Sequence, residues 1–246
     1  MRIPVYIVFV FLGLATIPGL VSVEKATFSE EADRPLAIVR YFKPTVNVQN
    51  LSVDKRIEVD SPGEKLYSGD TLTTNKGGYA YVLFMDKSVA KVKPESRLIV
   101  TGKTENTTKS TSARINLEEG NVLFDIVPQG AGSFEVATSR SLASVKGTVF
   151  GADADGYVWV SEGQVDVTAL VSGETISLFE QMYARVNENA DQIESGVLEK
   201  SDVENLVVGF DDIEQELQKR TIILRFRDAN GQIREVPIEY FEKDGN

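Results

Sequence analysis

The sequence predicts an all-β main domain followed by a small α+β unit, a helix with a β-hairpin. Three observations carry this. Apolar and polar residues alternate with a period of two in run after run between residues 37 and 171. The runs are short, and Gly, Asn, Asp or Ser bounds each of them, residues that supply tight turns and positive φ. After about residue 190 the apolar spacing becomes helical.

Taken in order, "AIVRYFKPTVNV" alternates, and "YAYVLFMDKSVAKV" reads as two strands around Asp86-Lys87-Ser88. The runs "RLIV", "ARINL", "NVLFDIV", "SFEVAT", "GYVWV" and "QVDVTALV" follow at short spacing. Glycines 69, 78, 120, 132, 147, 156, 163 and 173 stand at the corners. Corners this close suit a β-solenoid or roll, with a sandwich as the alternative, and no strict repeat length chooses between them. The most polar insertion, "TGKTENTTKSTS" over 101–112, reads as a solvated loop. In "GYVWV", Tyr157 and Trp159 face away from Val158 and Val160, so one face is core. The aromatic face is either buried too or a contact surface.

The second unit spans 196–246. Val203, Leu206, Val207, Phe210, Ile213 and Leu217 share one face of a helix or of two short helices broken at Gly209. Ser201 with Glu204 and Asp211 with Glu214 fit capping boxes. "TIILRFRDANGQIREVPIEYF" then reads as a hairpin about Asn230-Gly231. In it Ile222, Leu224 and Phe226 share a face, as do Val236, Ile238 and Tyr240.

Composition excludes several functions. The 37 acidic and 26 basic residues give a net charge of -11, which disfavours nucleic acid as a partner. Cys and His are both absent, which removes thiolate nucleophiles, Ser-His and Cys-His pairs and ordinary zinc, copper or haem ligation. The expectation is no catalytic residue, no cofactor and no metal.

Residues 1–22 read as a signal peptide: Arg2, an apolar stretch, then Pro18 and Gly19 before Ser22. The alternative is an uncleaved anchor, the chain's one route to a membrane.

Tempting sites read as structure. "GKT" at Gly102 to Thr104 has Arg97 where a phosphate loop needs glycine. Asp153, Asp155 and Gly156 resemble the start of a calcium loop, but Asp155-Gly156 between two strands is a hairpin turn signal. Glu118-Glu119 and Asp211-Asp212 are neighbours, and neighbours on a strand point to opposite faces. Asn50 and Asn106 begin glycosylation acceptor patterns that matter only in a eukaryotic source.

Six blocks occur in the order known from one family: "GDTLTT" from Gly69, "AYVLFMDKS", "LEEGNVLFDI", "FEVATS", "ASVKGTVF" from Ala143, and "VWVSEGQVDV" from Val158. Over 34–190 the chain resembles the FecR domain, the periplasmic domain of the ferric-citrate regulator and its relatives. The motif positions are Gly69, Asp70, Thr73, Lys146, Gly147, Thr148, Phe150, Glu162 and Gly163. Lys146 stands where the family has arginine, Ser139 for a frequent proline, and Lys87 where the turn carries glycine. The resemblance implies a solenoid-like β domain in which Gly147 meets a backbone requirement and Thr148 bonds nearby main chain.

In the full regulators this domain follows a cytoplasmic anti-sigma segment and a membrane span, and takes a signal from a TonB-dependent transporter. Only Met1 and Arg2 precede the apolar run, so the expectation is a stand-alone exported member without the anti-sigma segment. It would be a non-enzymatic interaction or signal-relay module in the bacterial envelope, periplasmic or secreted. Its partner would be an envelope protein or a cell-surface polymer. The competing expectations are a carboxylate-based enzyme acting on envelope glycans and an anchored relay coupled to such a transporter.

Overall fold

The computed structural model describes residues 34–104, 111–128, 132–210, 217–227 and 231–243. The expected signal peptide and the Asp211 capping box lie outside them.

The fold is mostly β: two nine-stranded sheets, neither closed, between which the chain shuttles. The first sheet receives β1 (Ala37–Lys43), the second β2 (Val46–Asn50) and β3 (Lys55–Glu58), and β4 (Glu64–Leu66) returns to the first. Next, β5 (Thr71–Thr74) joins the second, β6 (Tyr79–Phe84) and β7 (Val89–Val92) the first, and β8 (Ser96–Thr104) and β9 (Thr111–Glu119) the second. The first then gains β10 (Asn121–Ile126), and the second β11 (Phe134–Ala137) and β12 (Ser141–Val145). A hairpin of β13 (Thr148–Asp153) and β14 (Tyr157–Glu162) enters the first, β15 (Gln164–Ala169) and β16 (Thr175–Phe179) the second, and β17 (Met182–Val186) and β18 (Ile193–Val197) end the first. Both readings of the architecture are partly met, since strands are laid down in chain order as in a roll but form two layers as in a sandwich.

Alternation arises because each sheet turns one face to a shared core. That core takes side chains from both sheets, among them Val39, Val82 and Phe150 from the first and Val48, Ile115 and Val167 from the second. Four phenylalanines bridge the layers. Phe134 of β11 meets Phe84 edge-on at 5.3 Å and Phe124 at 5.8 Å, and Phe124 stacks on Phe150 at 5.1 Å.

The structure corrects four expectations. Residues 101–104 and 111–112 are paired strand, not loop, because the β8–β9 ladder continues to Thr104↔Thr111. Backbone bonding needs no apolar side chains, so a polar sequence extends the hairpin. The first sheet runs past residue 190, since β18 pairs with β17 as an edge strand with Glu194, Ser195 and Val197 exposed. A single described helix, α1 (Lys200–Val208), starts at Glu199, whose N–H donates to Asp202 Oδ2, so Ser201 lies inside it. Leu217 opens a strand, β19 (Leu217–Arg227), instead of extending the helix.

With β20 (Ile233–Lys243), β19 forms a separate two-stranded sheet. Its register sets Ile222 opposite Ile238 and Leu224 opposite Val236, so the hairpin that the sequence indicated is formed. Gly231 lies in the turn with φ +81°.

Trp159 is buried, though not in the shared core. Val158 and Val160 enter the shared core, while Trp159 lies on the outer face of the first sheet. There Val203 and Phe210, on and just beyond α1, cover it together with Leu123, leaving it 4% exposed. Its ring lies over Gly151, where an added Cβ would stand 2.3 Å away. Lys93 Nζ sits 4.1 Å from the centre of the Phe210 ring.

At the β6–β7 turn Lys87 adopts φ +75°. A side chain is costly in this left-handed conformation. Lys87→Gly is therefore expected to raise stability by about 0.5–1 kcal/mol, read as a higher urea midpoint at unchanged slope.

Candidate functional site

The motif residues fall into two groups, one on either side of three intervening strands. Gly69, Asp70 and Thr73 belong to the β4–β5 crossover and to β5; Lys146 and Gly147 lie between β12 and β13, which Thr148 opens, and Gly163 follows Glu162 at the end of β14. In the second sheet β8, β9 and β11 separate β5 from β12. One group is therefore too far from the other to act on a single small ligand.

At the second group two crossovers run side by side. Thr148 is buried, its hydroxyl donates to Gln164 O at 2.8 Å, and Gln164 N donates back at 3.4 Å. Gly147 adopts φ +120°, and an added Cβ would meet Pro128 Cα at 2.8 Å. At Gly163, φ is +87° and an added Cβ would stand 2.8 Å from Gly147 O. Both positions exclude a side chain on conformation and on space. Phe150 is fully buried. Of this group, only Lys146 and Glu162 project exposed side chains.

Lys146 borders a cleft of about 380 Å³ on the outer face of the second sheet. The pairing of β11, β12 and β15 places Glu135, Ser144 and Asp166 in a row across it, with Gln164 alongside. Asp166 Oδ1 accepts from Ser177 Oγ at 2.7 Å and from Gln164 Nε2 at 3.1 Å. These bonds, helped by Lys146, hold its carboxyl below the ordinary carboxylate range. Glu135 Oε2 pairs with Arg114 Nε at 3.1 Å. Neither Glu135, Ser144 nor Asp166 stood out in the sequence; their meeting is a product of register.

The other candidates stay structural. Gly102 to Thr104 lie within β8. Gly156 N donates to Asp153 O at 3.0 Å, closing a turn between β13 and β14, and Arg140 Nη1 donates to Asp155 O. Glu118 pairs with Arg97 across β8 and β9. Among the described residues no group of three or more acidic side chains is arranged to hold a metal ion. No described helix is long and apolar enough to cross a membrane.

Asp153 has a buried Oδ1 with no hydrogen-bond partner among the described residues. Burial first, and the Asp155 carboxylate second, push its carboxyl above the ordinary 3.8. The folded protein thus binds this proton more tightly than the unfolded chain, and its stability falls as pH rises from 3.8 through the raised value. Asp153→Asn is expected to melt higher than the parent at neutral pH, the gain vanishing below 3.8. Paired thermal melts across that range check it.

Comparison with curated protein sequences gives no match. Two crystal structures of a candidate anti-sigma factor from Parabacteroides distasonis are similar at 20% and 21% identity, with TM-scores of 0.46 and 0.47. The similarity covers 56% of this chain and 65% and 64% of those chains, so this chain spans just under two thirds of their length. Residues 70–166 match the family model described as FecR protein, and it is a FecR domain that this chain carries there.

Proposed function

We propose that this chain is an exported, non-enzymatic FecR-domain module that binds an envelope protein and relays or regulates a signal. The observation that carries the reading is the family match over 70–166. The disposition of the motif supports it: Asp70, Gly147, Thr148 and Gly163 serve backbone joints between the sheets instead of converging on a reacting atom. The signal-like residues 1–22 support export. The working division is a β domain from 34 through the end of β18 at 197 and a docking unit from α1 onward. In that unit Phe226 and Val236 are 49% and 44% exposed on the same face of the β19–β20 hairpin.

A carboxylate-based enzyme acting on glycans needs one acid kept protonated as proton donor. The two acids beside the cleft are poorly suited, Asp166 being held below its usual range and Glu135 being paired with Arg114. A membrane-anchored relay shares every feature of the module except cleavage.

The test is a photo-crosslinker placed at position 226 in cells. A single envelope protein captured there, and lost when Val236 becomes Asp but retained when Phe179 becomes Asp, is the expected result. Equal capture by all variants, or none, overturns the reading. The mass of the mature chain separates the cleaved form from the anchored relay.

A further inference from the structure

We propose that the cleft formed by Glu135, Ser144, Lys146, Gln164 and Asp166 binds a neutral disaccharide. This site is distinct from the hairpin and does not rest on the partner-binding reading.

Size, charge and backbone each narrow the ligand. The volume of about 380 Å³ lies at the lower end of small-ligand sites. Glu135 and Asp166 belong to strands flanking β12, so their Cα atoms stand about 10 Å apart, two strand spacings, which matches two pyranose rings laid across the row.

Charge then selects neutrality. Arg114 offsets Glu135 and Lys146 faces Asp166, so the cleft carries no net charge. With its charges balanced, the cleft offers no net attraction to a phosphate, a nucleotide or an amine.

The backbone disfavours a peptide. β11, β12 and β15 each have a bonded neighbour on both sides, so no strand edge is open for an extended chain to join. A ligand must be read by side chains alone, and these suit hydroxyl groups. Asp166 spends Oδ1 on Ser177 and Gln164 and Glu135 spends Oε2 on Arg114, leaving each a second oxygen as acceptor. The Ser144 hydroxyl and the Lys146 ammonium line the cleft and supply donors between them. The acceptors are fixed before any ligand arrives, which lowers the ordering cost of binding.

The experiment titrates the full mature chain with cellobiose, maltose and N,N'-diacetylchitobiose, using a uronic-acid disaccharide and triglycine as comparators. At least one neutral disaccharide is expected to bind with Kd on the order of 0.1–1 mM. Lys146→Ala and Asp166→Asn are each expected to weaken it about tenfold or more, and Lys200→Ala, on α1, to leave it unchanged. Melting curves establish that the variants fold. Amide resonances in the unmutated chain give a second readout, with shifts expected at 144–146 and 164–166. No neutral disaccharide binding at about 10 mM overturns the proposal. So does tighter binding of the uronic-acid sugar or triglycine, binding indifferent to both cleft substitutions, or shifts confined to other residues.

Discussion

Phe134→Ala is expected to lower the unfolding free energy by about 3–5 kcal/mol. The ring is fully buried and is the one member of the phenylalanine cluster that comes from the second sheet, touching Phe84 and Phe124 of the first. Truncation removes apolar contact from both layers and opens a void that neither sheet can fill without shifting a whole ladder of hydrogen bonds. Two edge-on aromatic pairs are lost with it. In a domain of this size the melting temperature should fall by about 10 °C or more. Phe134→Leu, which keeps most of the volume, should cost under about 1.5 kcal/mol. Phe179→Ala, at a ring already 54% exposed, should stay within about 0.5 kcal/mol. Urea unfolding of the three variants ranks them. Equal costs at positions 134 and 179 would mean that the two sheets do not share a core.

The phenylalanine cluster also shows how far periodicity reads. Phe84, Phe124, Phe134 and Phe150 sit in alternating runs because each strand buries one face, so the strands were legible one at a time. Their assignment to two sheets was not, since an inward-facing Val looks alike in either layer. Strands that gain stability from pairing alone were also hidden. β3 holds Lys55, Arg56 and Glu58 exposed, and β18 exposes Glu194 and Ser195, so neither alternates. The polar ends of β8 and β9 escaped for the same reason. At α1 the spacing of Val203, Leu206, Val207 and Phe210 is legible, because these residues cover Trp159. Leu217 broke the pattern, since position alone does not reveal that the chain has already left the helix.

The site was legible in one member only. Lys146 lies in the most specific motif block, whereas Glu135, Ser144 and Asp166 come from three strands and meet through the registers Glu135↔Ser144 and Ser144↔Asp166. No local pattern encodes such a row, because a one-residue slip in β12 would turn Ser144 inward and scatter it.

Asp70 offers the sharpest separation of motif from site. Its side chain is fully buried, and instead of a cation its oxygens meet amides: Leu51 N at 3.0 Å, Tyr67 N at 2.9 Å and Asn50 Nδ2 at 3.3 Å. The main chain continues the joint, with Gly69 N donating to Val100 O and Val100 N donating to Asp70 O. One residue thus ties the turn after β2, the β4–β5 crossover and β8. Leu51 lies close over Gly69, where an added Cβ would stand 2.4 Å from Leu51 Cδ2. Asp70→Ala strands two backbone donors and an amide away from water, and the expected loss is about 3–5 kcal/mol. Asp70→Asn keeps one acceptor oxygen but turns an NH₂ group toward a donor, so it should recover about half of that loss. Hydrogen exchange gives a local signature, since the Leu51 and Tyr67 amides should lose protection ahead of the shared core while Val167 keeps its own. A loss below about 1 kcal/mol with both amides still protected would show that the joint is held by Gly69 and Val100 alone, and that Asp70 is retained for some contact outside the fold.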